Sequence, residues 1–225
     1  MAKGAFITIE GIEGSGKTTQ ARLLADYLRS MKLRVTETRE PGGTQIGEVI
    51  RPILLSPSDE GISPETELLL YLACRADHVE RLIRPALGRG DVVISDRYAD
   101  ATVAYQGFGR GLDLERIRKL NEAATDGVFP DITVLLDLDA EIGLARVAGR
   151  SQEGGTDRFE REELEFHKRV REGYRHVASS EPDRVKTIKA DAEIEVVQEN
   201  IRGIIGEFLS ETGLWRGEKG GVRND

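Results

Sequence analysis

The sequence predicts an α/β fold in three layers, a five-stranded parallel sheet with helices on both faces, and three observations predict it. Short apolar, β-branched runs alternate from end to end with amphipathic stretches of helical period, the pattern of a doubly wound sheet. The strongest runs, 5–10, 92–96 and 132–137, are mostly apolar and closed by polar residues, as expected of parallel strands covered on both sides. The chain has 225 residues, 39% of them hydrophobic. That length suits one medium domain able to bury roughly 70–75% of its unfolded surface.

Each element can be justified in turn. The first strand, 5–10, runs into a glycine-bearing loop, and a helix over 18–31 follows with Ala21, Leu24, Ala25 and Leu28 on one face. A weaker strand covers 34–38. A helix over 64–87 opens with Ser63 as N-cap and Pro64 at the first helical position, where the missing N–H costs nothing. After the strand at 92–96 come a helix at 114–124, the strand at 132–137, helices at 140–148 and 160–178, a weaker strand at 185–189 and a helix at 194–209. No repeat, proline-rich linker or composition shift divides the chain, which predicts a single domain over residues 1–210. The polar segment 149–156 (GRSQEGGT) reads as a mobile surface loop, giving a lid at about 149–158. Residues 211–225 hold four glycines and little to bury, so they read as a flexible tail.

Composition removes several classes of function. Thirty-two basic against 40 acidic side chains give a net charge of −8, which argues against a nucleic-acid-binding face. The opening residues carry only a short apolar run, far below the ~20 that cross a bilayer. One cysteine, Cys74, cannot form an internal disulfide and fits a reducing cytoplasm. It reads as packed rather than catalytic. His78, His167 and His176 fall at no metal-ligand spacing and are expected on helix surfaces.

The chemistry begins at Gly11, Ile12, Glu13, Gly14, Ser15, Gly16, Lys17 and Thr18. They match G-x-x-x-x-G-K-[ST] directly after a strand and opening a helix, the context this motif requires. Glycines let backbone N–H groups turn inward around phosphate oxygens, and the helix N-terminus adds partial positive charge. Lys17 would reach the β/γ-phosphates and Thr18 would ligate Mg²⁺. The dinucleotide pattern G-x-G-x-x-G fails because the sixth position is Thr19, which disfavours nicotinamide and flavin enzymes.

A second strand, 92–96, delivers Asp96 and then Arg97 at its carboxyl end, where ligands bind in open parallel sheets. Asp96 suits the Mg²⁺ water shell, and Arg97 suits a second anionic substrate. A capping Asp with a surface Arg is the plainer alternative. The chain contains neither N-K-x-D nor D-x-x-G, which weakens a guanine-nucleotide switch.

Five segments resemble the bacterial thymidylate kinase (dTMP kinase) family, in family order: FITIEGIEGSGKTTQ (6–20), REPGGTQIGEVIR (39–51), YLACR (71–75), DRYADATVAYQGFGRG (96–111) and DRFEREELEFHKRVREGY (157–174). The likeness spans nearly all of residues 5–209 and implies a P-loop nucleoside monophosphate kinase-like fold. It implies transfer of the ATP γ-phosphoryl group to dTMP, with Mg²⁺, for dTTP synthesis. It also implies roles at matched positions. Glu13 would contact the acceptor sugar 3′-hydroxyl. Tyr71 would stack on thymine, with Arg75 one helical turn later donating to a base carbonyl. From pattern alone these two read as a core aromatic and a solvated cation.

Arg39, Arg51 and Arg97 would lie near the acceptor phosphate, and Pro41 in a turn. Thr102, Tyr105 and Gln106 would line base and deoxyribose, with the Tyr105 ring crowding a ribose 2′-hydroxyl. Glu40-Pro41 matches a position often cis, although trans is the default for X-Pro. With Gly14 in the loop, the chain resembles the branch that supplies its catalytic arginine from the lid. Arg158 is the first candidate and Arg150 the second, with a solvated lid charge the alternative for Arg150. The family further implies an adenine-side loop near Lys189, Ala190 and Asp191, and a homodimer. The cluster Lys168, Arg169 and Arg171 reads as a solvated helix face. A kinase for another nucleoside monophosphate or deoxynucleoside, and a regulatory nucleotide-binding module, remain alternatives.

Overall fold

The computed structural model describes residues 4–57, 61–150 and 157–214. Its five strands are β1 (Ala5–Gly11), β2 (Val35–Arg39), β3 (Val92–Asp96), β4 (Ile132–Asp137) and β5 (Val185–Lys189). They form one parallel sheet in the order β2-β3-β1-β4-β5. All seven residues of the central strand β1 are buried, which is why its sequence does not alternate.

The helices are α1 (Lys17–Ser30), α2 (Gln45–Leu55), α3 (Pro64–His78), α4 (Arg84–Gly88), α5 (Ala99–Thr102), α6 (Leu114–Thr125), α7 (Ala140–Arg150), α8 (Leu164–Ser180) and α9 (Ile194–Glu211). A π-helical turn, Val79–Ile83, joins α3 to α4, and a second, Val103–Gly109, extends α5. The Ser63 side chain accepts from the Thr66 amide, and Pro64 stands in the first turn of α3. The main core packs α1, α8 and α9 on the sheet around Ile7, Leu24, Val134, Val170 and Ile201, all fully buried. No helix among the described residues is long and apolar enough to cross a membrane.

Four differences from the sequence expectations have physical reasons. α2 lies where the sequence reading placed no helix, and it carries Pro52 inside it, a residue that ordinarily interrupts a helix. Here it stands in the last turn, while Thr44 caps the start by accepting from Gly47 N. The start of α8 is Leu164, four residues later than expected, because residues 158–162 form turns. His78 and His167 are buried, not on helix surfaces. His78 lies between Thr38 Oγ1 at 2.7 Å and Glu40 Oε1 at 3.0 Å; His167 faces Glu13. His176 is exposed. Last, α9 continues to Glu211. Of the expected tail, 215–225 lie outside the described residues, as do 151–156 of the lid and the side chain of Arg150. Cys74 is buried, and burial pushes its thiol up to about 12.

Two glycines let the phosphate-loop region touch α7. A Cβ at Gly14 would stand 2.2 Å from the Gly143 carbonyl oxygen, and one at Gly143 would stand 2.4 Å from the Glu13 carbonyl oxygen. Gly14 also has φ +73°. An arginine at position 14 is therefore excluded by backbone contact as well as by conformation.

Candidate active site

The carboxyl ends of β1 and β3 finish side by side, with Ile9 level with Asp96. A cleft of about 300 Å³ opens there. At one end it is lined by Gly14, Gly16, Lys17, Thr18 and Asp96; at the other by Tyr71, Thr102, Gln106 and Phe159, with Glu13, Arg97 and Tyr105 between.

At the loop end, Lys17 Nζ donates to the Ile12 carbonyl at 2.7 Å. Burial, and then the nearby Arg97 charge, lower its pKa to about 8. Such an ammonium is poised to gain from an incoming anion, which would restore its charge. The Thr18 hydroxyl donates to Asp96 Oδ2 at 2.5 Å. This hydroxyl and carboxylate fit Mg²⁺, a hard cation that keeps waters and takes further ligands from substrate phosphates. No cluster of three or more His, Cys, Asp or Glu side chains suited to a metal occurs among the described residues, so those residues form no all-protein cage. On the other flank of the loop, Arg146 Nη1 reaches the carbonyls of Ala190 at 2.9 Å and Gly14 at 3.4 Å. The 189–191 loop thus adjoins the phosphate loop.

The middle of the cleft is a buried charge cluster. Arg97 Nη2 meets Glu13 Oε1 at 2.7 Å, while its Nη1 donates to the Gly11 carbonyl at 2.9 Å and to Tyr174 Oη at 3.1 Å. The guanidinium also lies over the Tyr105 ring, 4.8 Å from its centroid. Tyr105 donates to the same Glu13 oxygen at 2.6 Å, and His167 Nδ1 lies 3.3 Å from the other. Burial alone would raise the Glu13 pKa, but Arg97, His167 and Lys17 together hold it well below the usual carboxylate range. Arg97 has φ +72°, a left-handed conformation that disfavours a side chain with a Cβ. Its amide still donates to the Ile9 carbonyl, so the chain turns sharply off the strand and carries the guanidinium back over β1.

Nine of the ten residues expected at the acceptor line this cleft: Glu13, Arg39, Pro41, Arg51, Tyr71, Arg97, Thr102, Tyr105 and Gln106. The Glu40-Pro41 bond is cis, and Arg51 Nη1 donates to the Pro41 carbonyl at 2.6 Å. The tenth residue, Arg75, stands elsewhere. It is 1% exposed and donates to Glu40, Thr102, Asn121 and the Tyr98 carbonyl. Those bonds use all five N–H groups of a guanidinium. Arg75 therefore braces the wall behind Thr102 rather than facing the cleft.

Arg158 also departs from its expected place. Its Nη1 pairs with buried Glu67 at 2.7 Å, its Nε donates to the Leu54 carbonyl and its amide to that of Leu55. It thus fastens the segment after the lid to α2 and α3 instead of covering the phosphate loop.

Sequence reasoning missed Glu67, Phe159, His167 and Tyr174. Each belongs to an amphipathic run whose pattern reads as ordinary helix or loop, and only the tertiary pairing gives it a role. Phe159 packs edge-on to Tyr105, with centroids 5.4 Å apart.

Comparison with known proteins shows the family. A family model described as thymidylate kinase matches residues 9–201. A thymidylate kinase from Solidesulfovibrio magneticus is 50% identical over 208 residues, covering 91% of this chain and all of that protein. One from Oleidesulfovibrio alaskensis is 49% identical, covering 91% of this chain and 99% of its own. The crystal structure of thymidylate kinase from Ehrlichia chaffeensis superposes with a TM-score of 0.74 at 36% identity, covering 91% of this chain and 99% of that one.

Proposed function

The chain belongs to the thymidylate kinase family, and from that premise we propose how its cleft moves the ATP γ-phosphoryl group to dTMP. The enzyme forms dTDP and ADP, a step of dTTP synthesis, with ATP and Mg²⁺ as the donor system. The observation that carries the residue assignment is the continuity of one cleft from the phosphate loop, past Arg97, to Tyr71 and Gln106.

In this assignment the triphosphate lies on Gly11 to Thr18, and the adenine lies toward Lys189, Ala190 and Asp191. Thr18 and Asp96 would hold Mg²⁺, which supplies charge neutralisation between the β- and γ-phosphates. Tyr71 stacks on the thymine. Thr102 and Gln106 line the base, and Glu13 and Tyr105, bonded to each other, meet the deoxyribose. Arg97, with Arg51 and Arg39 beside it, receives the 5′-phosphate. Two anions must approach in line, and the fixed charges of Lys17 and Arg97 relieve their repulsion without reorganising, which is the main catalytic task in phosphoryl transfer. Arg75 positions Thr102 and, through Glu40, Pro41. Arg158, paired with Glu67, closes the acceptor end beside the lid.

An assay of ADP release across dTMP, dUMP, dCMP, dGMP, thymidine and no acceptor tests the assignment. Turnover should be stimulated most by dTMP. Equal turnover without an acceptor would instead identify a hydrolase or regulatory module.

The reading extends to assembly. Ile46, Val49 and Ile53 recur at helical spacing on α2 and are 47%, 65% and 53% exposed, and Leu69 on the adjoining α3 is 54% exposed. This stripe supports a homodimer built on α2 and α3. Light scattering should find a dimer in the parent and a monomer in a V49E/I53E double variant. The lone buried thiol supports cytoplasmic residence.

A further inference from the structure

The cleft's base end is backed by a carboxylate that no part of the transfer chemistry uses. Glu67, on α3, is completely buried. Its Oε1 accepts from Gln106 Nε2 at 2.7 Å. Its Oε2 pairs with Arg158 at 2.7 Å and with Arg110 at 3.2 Å. A carboxylate flanked by two guanidiniums accepts hydrogen bonds and offers none. Only the NH₂ side of the Gln106 amide can therefore face Glu67, and its carbonyl oxygen must point the other way. Among the described residues no donor meets that oxygen, and Gln106 lines the cleft.

We propose that Glu67 is a specificity-determining positioning residue: it locks the Gln106 amide so that the cleft presents an acceptor to the pyrimidine edge. The imide edge of thymine or uracil offers an N3–H to such an acceptor. Cytosine offers a lone pair at N3, which the fixed oxygen repels and which would leave Gln106 unpaired. Sites of this kind discriminate strongly because the wrong ligand strands a buried polar group. The proposal rests on the thymidylate kinase assignment and adds the residue that sets the polarity of its base end.

The test is kcat/KM for dTMP divided by kcat/KM for dCMP, measured by ADP release in the parent and in Glu67→Gln. An amide at position 67 can present either face to Gln106 and frees it to turn over, so the ratio should fall by at least about tenfold. A merely structural role would depress both substrates in parallel and leave the ratio unchanged, which would overturn the proposal. If Glu67→Gln does not fold, Glu67→Asp keeps the charge between the two arginines yet shortens the reach to Gln106, and the same fall in ratio is expected. An unchanged ratio there would equally overturn it. Absence of dTMP-stimulated turnover in the parent is a separate result, which would overturn the functional assignment itself.

Discussion

The two ends of the cleft are held in different ways. The donor end is a contiguous stretch of backbone, in which Gly14 and Gly16 take positive φ and the first turn of α1 supplies amides and Lys17. The acceptor end is assembled from side chains distant in sequence. Glu40 pairs with Arg75, Glu67 with Arg110 and Arg158, and Glu13 with Arg97. A phosphate presents the same oxygens in every nucleotide, so a backbone cradle suffices. A base and sugar differ between nucleotides, and a wall of side chains, each fixed by a buried partner, can tell them apart.

Arg97 spans both ends, so its loss should have the largest effect. Arg97→Met should lower kcat by about 10³, the scale of losing an arginine at a transferring phosphate, while far-ultraviolet circular dichroism still reports a folded chain. A kcat within tenfold of the parent would show that the acceptor phosphate is held elsewhere.

The next effect falls on stability. Arg75→Met leaves Glu40 buried with the His78 ring 3.0 Å away as its remaining side-chain partner, and breaking the Arg75–Glu40 pair should cost about 3 kcal/mol. Burial would raise the Glu40 pKa and Arg75 leads in lowering it, so without Arg75 the carboxyl takes up a proton more readily in the folded chain, and the variant's loss of stability should be larger at pH 8 than at pH 5. Chemical denaturation at pH 5 and pH 8 measures both. If kcat drops while stability holds, Arg75 faces substrate after all.

The smallest effect probes the donor end. With the Lys17 pKa near 8, its ammonium is present below that pH and lost above it. KM for ATP should therefore rise severalfold from pH 7.5 to 9, with a ceiling of about tenfold per unit. A flat profile over that range would mean that the loop binds triphosphate through its amides alone.

The same contrast explains what the sequence disclosed. Eight consecutive residues, Gly11 to Thr18, announce the donor end, because their spacing is itself the geometry. The strands at 92–96 and 132–137 were legible to the residue, because a doubly covered strand writes its burial as a nearly unbroken apolar run, while the edge strand at 185–189, with two lysines and a threonine, left a weaker signal at the same bounds. Arg75 and Arg158 were not legible: a long cation carries no sign of which partner it will turn to, and both turn to carboxylates some 35 and 90 positions away. The two buried histidines misled for the same reason, since polar residues on an amphipathic helix are buried only where another element brings them a partner.

Position 97 is one at which the backbone and the side chain favour different amino acids. A glycine would relax the left-handed turn after β3, removing a conformational cost of about 1–2 kcal/mol, yet it would strip the cleft of its central cation. Selection for heat tolerance alone would pull this site toward glycine and yield a sturdier chain that no longer turns over, whereas selection for growth would hold the arginine in place.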